Sequence, residues 1–186
     1  MWTVTLGLAF SLLALPGQGP TTPHVHKTFG DVALRISNRP EDGVAHLKFA
    51  VKNVIADNST TPPRERLLGI LSYQTMGLNA AGSVQIRLER VERFRQESPE
   101  TALFAGPAVL SRRLRNTSSV LRGTLVVTVF DSFDPTDLLE PNANILPRQD
   151  RVNLRFFVPE NAQPVYQVDG IVSRGDLVVL ERDSFR

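Results

Sequence analysis

Cysteine is absent from all 186 residues. That excludes disulfides, a cysteine-anchored lipid and a cysteine-based zinc site, so stability falls to core packing. Lysine is scarce too. Of 21 basic residues only Lys27, Lys48 and Lys52 are lysines, and the other 18 are arginines. Guanidinium groups make bidentate contacts with carboxylates, phosphates and sulfates, so the bias points to anionic partners, although codon usage produces the same bias. A formal net charge of +2 implies no strong whole-molecule field, and no nucleic-acid partner is expected.

Charge is also missing from the first 19 residues, "MWTVTLGLAFSLLALPGQG". The apolar run from Val4 to Leu15 is shorter than the roughly 20 residues a membrane helix needs. It fits the apolar region of a secretory signal peptide followed by a Pro/Gly break, although the run has no basic residue before it and Pro20 disfavours cleavage after Gly19. No other stretch is long and apolar enough to span a bilayer. The expectation is a secreted or extracytoplasmic chain: a signal peptide at 1–19, a Pro/Thr/His linker at 20–28, and folded sequence beyond. Two sequons, at Asn58 and Asn116, lie in polar stretches that read as surface loops, where glycosylation needs them.

What is present is alternation. "DVALRIS" places Val32, Leu34 and Ile36 on one face. "VAHLKFAVKNV" places Ala45, Leu47, Phe49 and Val51 inward, with His46, Lys48 and Lys52 outward. A period of two marks a half-buried strand, and "NRPEDG" between these two segments predicts a hairpin. "LLGILSYQTM" reads as a strand or a short helix. "SVQIRLERVERFR" alternates through Leu88 but also fits one helical face; the neighbouring strands favour a strand. "GTLVVTVFD" reads as a strand buried on both faces. "RVNLRFFV", "PVYQV", "GIVS" and "DLVVLE" complete the set. Many short strands with no strong helix between them predict an all-β antiparallel sandwich, with a β-barrel as the alternative. "HLKFAVKN" and "TLVVTVFD" share apolar positions, as do "VQIRLE" and "VNLRFF". Two related β units, 29–110 and 117–186, would follow, whether as two domains or as one.

The order "GTLVVTVFDSFDPTD … VNLRFFVP … YQVDGIVSRGDLVVLE", about 120–182, resembles the pilotin-like bacterial envelope lipoproteins associated with type III secretion. The resemblance implies a small exported β-sandwich acting in assembly rather than catalysis. The lipobox cysteine of that family is missing here, and no site residue carries over.

Four groups of residues are candidates for function. Arg174, Gly175 and Asp176 spell the tripeptide that integrin-type receptors recognise. The flanking "IVS" and "LVVLE" predict a hairpin with Gly175 in its turn, which would display the tripeptide. Arg112, Arg113 and Arg115 have the spacing of a sulfate-binding segment, or of a solvated basic loop. Asp131, Asp134 and Asp137 have loop spacing that calcium can use, but Asp134 before Pro135 reads better as a helix cap. His24 and His26 would share one face of an extended segment, without an evident third metal ligand. No nucleophile elbow, phosphate loop or zinc-protease helix occurs, and neither cofactor nor metal is expected. The expectation is an exported, non-catalytic module that binds a protein receptor or a sulfated polyanion. The alternative is a barrel carrier or a small hydrolase whose site is assembled from scattered residues.

Overall fold

The computed structural model describes residues 24–36, 43–57, 64–76, 82–114, 117–132 and 149–183. Every regular element among them is a strand: β1 (His24–Ile36), β2 (Val44–Asp57), β3 (Arg64–Met76), β4 (Ser83–Leu88), β5 (Arg93–Ser98), β6 (Thr101–Leu114), β7 (Thr117–Phe130), β8 (Arg151–Phe157) and β9 (Tyr166–Asp183). All pairings are antiparallel. β1 bonds to β9, and β4 bonds to both β3 and β6, so eight strands close into a barrel and β5 is an additional strand on β6. The expected sandwich is corrected to its alternative. A sandwich leaves sheet edges between two layers, whereas here one sheet runs round and meets itself. Its strands come from both halves of the chain, and β1 starts within the stretch read as a linker.

Alternation builds the lumen. Val32 and Leu34, Leu47 and Phe49, Val127 and Val129, and Leu154 and Phe156 all point inward and are buried. The "LLGILSYQTM" segment is a strand, with Leu71 and Tyr73 buried. "GTLVVTVFD" is buried on its inner face, but Val126 and Thr128 on its outer face are only half-buried. In a closed barrel one face of each strand meets the lumen and the other meets solvent. The lumen is filled: the Phe49 and Phe104 rings stack at 5.7 Å, and the Tyr73 and Tyr166 hydroxyls hydrogen-bond at 3.0 Å.

β4 and β5 are two halves of one interrupted strand beside β6. Glu89 N–H donates to Pro107 O and Glu92 N–H to Ala105 O, both at 2.9 Å, and between them the chain bulges over the inward side of Gly106, with Val91 in the core. The Arg90 carbonyl lies 2.0 Å from where a Cβ on Gly106 would stand, so only glycine fits there. Pro107, which lacks an N–H, falls at this break in the ladder. Beyond the bulge β3 pairs only with β2 among the described residues, and the Val91 side chain packs over Gly69.

Candidate functional site: the outer wall and one barrel mouth

The tripeptide does not form a turn. Residues 166–183 run as one strand, in which Arg174, Gly175 and Asp176 pair with Ala33, Val32 and Asp31 of β1. Ser173 is the extra residue of a bulge, and its hydroxyl donates to Ala33 O. Gly175 has φ 92°, and a Cβ there would meet Asp31 O at 2.3 Å. Gly175 is therefore needed inside a paired strand, where the Asp31 backbone comes close, rather than in a hairpin turn. Arg174 and Asp176 are exposed, but they lie along the wall. Arg112 and Arg113 also belong to a strand: they pair with Ser119 and Ser118 where β6 turns toward β7, Arg112 half-buried and Arg113 exposed. Arg115, Asn58, Asn116, Asp134, Asp137 and the 1–19 segment lie outside the described residues. Asp131 accepts a hydrogen bond from Val179 N–H at 2.9 Å, so this carboxylate ties the end of β7 to β9.

Register brings together arginines that are far apart in sequence. Across β1, β9, β8, β7 and β6, one row on the outer face reads Arg35, Ile171, Arg151, Phe130, Thr101. The next reads Asp169, Asn153, Thr128, Leu103, Arg95, and the third Gln167, Arg155, Val126, Ala105, Arg93. Between them lies a depression of about 570 Å³, lined by Leu103, Val126, Phe130, Arg151, Arg155 and Asp169 among others. Arg35, Arg93, Arg95, Arg151 and Arg155 are exposed, and none forms an ion pair among the described residues. Asp169 is held by the Asn153 and Gln167 amides. Arg151 and Arg155, four residues apart on one strand, stand roughly 13 Å from each other. The floor combines apolar Leu103, Val126 and Phe130 with polar Thr128, Asn153 and Asp169, and Arg151 and Arg155 stand at its edge without an ion-pair partner among the described residues.

A second depression of about 570 Å³ covers the outer faces of β1–β3. Phe29, Leu68 and Ile70 are exposed there, Ile70 by 65%. Lys27 Nζ lies 5.4 Å from the centre of the Phe29 ring, so this cation already rests on a side chain of the groove. Beside it Asp31 meets His46 Nε2 at 2.6 Å and Lys48 Nζ at 3.2 Å. These bonds, Lys48 first and His46 second, hold the Asp31 carboxyl below its usual value.

Polar side chains gather inside one barrel mouth, where β1 begins and β2 ends. His26 Nδ1 and Gln96 Oε1 are 2.9 Å apart, linking β1 to β5. Asn53, the register partner of His26, donates through Nδ2 to Glu65 Oε2 at 3.2 Å. Thr28 is buried and donates to Val178 O. Sequence reasoning grouped His26 with His24 and missed Asn53 and Glu65. The signal was the phase of β2: Asn53 continues the inward series Phe49, Val51. Among the described residues no group of three potential metal ligands forms. No protein-family model, no curated protein and no solved structure matches this chain.

Proposed function

We propose that this chain is an exported, non-catalytic binding module that holds an anionic macromolecular partner, of the sulfated-polymer class, on the outer wall of its barrel. The observation that carries the reading is the groove over β6–β9, where Arg151 and Arg155, without an ion-pair partner among the described residues, line a mixed apolar and polar floor, and Arg93 and Arg95 stand on β5 at the far ends of the same rows. Guanidinium forks match sulfate and carboxylate oxygens, and weak hydration lowers the cost of bringing them into contact. Their spread over three rows suits an extended chain of anions better than a single small one. The packed lumen argues against the carrier alternative, since a carrier needs an enclosed chamber. Arg174 and Asp176 fit adhesion less well, because a receptor metal needs a carboxylate that stands clear of the sheet, and Asp176 is paired in the β1–β9 ladder.

The test is binding to heparin and to uncharged dextran over a salt series. Heparin binding should weaken steadily as salt rises, and dextran should not bind, because the contacts are between exposed charges. Heparin affinity that ignores salt, or equal binding of the two polymers, would overturn the reading.

A further inference from the structure

We propose a second site, independent of the outer-wall reading: the barrel mouth at Asn53 and Glu65 binds a primary alkylammonium group. Asn53 is only 5% exposed, and its Oδ1 is buried without a donor. Its orientation is fixed chemically, because Nδ2 donates to Glu65 Oε2 and a carboxylate can only accept. Exchanging the amide's oxygen and nitrogen would set oxygen against oxygen. Glu65 is exposed, and no cation pairs with its carboxylate among the described residues. An unsatisfied buried acceptor therefore sits beside a carboxylate that has no cationic partner among the described residues.

Each simpler occupant leaves part of this arrangement unanswered. Water supplies a donor to Oδ1 but leaves the negative charge. A metal ion needs more ligands than gather here. An ammonium group supplies three N–H donors and a positive charge from one atom. Leu67 and Phe94, half-buried and packed against the core, occupy the inward phases of β3 and β5 near the same mouth and suit an alkyl stem. The ammonium can come from a free alkylamine or from a lysine side chain of a protein partner; the chemistry is shared.

Titration calorimetry with n-butylammonium chloride, n-butanol and N-acetyl-lysine-methylamide tests the site. The expected result is binding of at least one ammonium compound and none of butanol. Asn53→Leu and Glu65→Gln should each weaken that binding about tenfold or more. Asn53→Leu removes a buried polar group and Glu65→Gln alters an exposed one, so circular dichroism should show both variants folded. Tighter binding of the lysine derivative assigns the site to a protein lysine; tighter binding of butylammonium assigns it to a free amine. Failure of both ammonium compounds to bind, equal binding of butanol, or unchanged affinity in folded variants overturns the proposal. Arg151→Glu/Arg155→Glu should leave ammonium binding intact, so this site and the outer groove fail or stand separately.

Discussion

Along β7 and β8, neighbouring residues occupy two environments. Val127, Val129, Leu154 and Phe156 are fully buried in the lumen. Val126, Thr128, Arg151 and Arg155 lie on the other face of the same strands and line the outer groove. Successive side chains share a backbone but point to opposite faces. In a filled barrel this divides labour: inward residues hold the fold, while outward residues are free to vary and to recognise. Substitutions on the two faces should therefore separate stability from binding.

The largest loss of stability is expected inside. Phe104→Ala removes a fully buried ring that stacks on Phe49, and should cost about 3–5 kcal/mol in urea unfolding. The fraction that remains folded should bind heparin like the parent. Next is Gly106→Ala, which forces a methyl group onto the Arg90 carbonyl and should cost about 1–3 kcal/mol or more. Tyr73→Phe deletes a buried hydroxyl–hydroxyl bond and should cost about 1 kcal/mol. Combining it with Tyr166→Phe should cost less than the sum of the single changes, because both remove the same bond.

Outer-face changes should be far smaller. Asp31 has a depressed folded-state pKa, so its contribution to stability is present above the unfolded value of 3.8 and is lost as pH falls through the folded value. Asp31→Asn should therefore be slightly less stable than the parent at neutral pH, and the difference should vanish in strong acid. Chemical unfolding at several pH values checks this, and a difference that grows on acidification would contradict it. Arg151→Glu/Arg155→Glu should change stability least, within about 0.5 kcal/mol for each exposed site. If these arginines also supported the fold, the division between faces would be lost.

Much of the strand content was legible in sequence. The inward sets of β1 and β2, and Val152, Leu154 and Phe156 of β8, follow directly from alternation. Closure was not legible. It depends on pairing between β1 and β9, about 150 residues apart, and between β4 and β6, and alternation serves a sandwich and a barrel equally well. Gly175 was recognised as special but placed in a turn; it lies within a paired strand two residues past the bulge, where positive φ and close approach of the Asp31 carbonyl require glycine. The groove arginines escaped notice for a related reason. Arg93 falls in one row with Arg155, and Arg95 in the row between Arg151 and Arg155, only through the register of β5 to β8, whereas Arg112 and Arg113 drew attention by being adjacent in sequence.

The most direct test of the division between faces, and of recognition through the arginine groove, is a heparin titration of three proteins at one salt concentration. These are the parent, Arg151→Glu/Arg155→Glu, and Lys27→Glu/Lys52→Glu in the other outer depression. Each double reversal lowers the formal net charge from +2 to −2, so global charge is matched. The arginine variant should lose about 100-fold in affinity, roughly tenfold per guanidinium contact, and the lysine variant less than about 3-fold. Equal losses in the two variants would mean that binding follows net charge and that the groove over β6–β9 is not its seat.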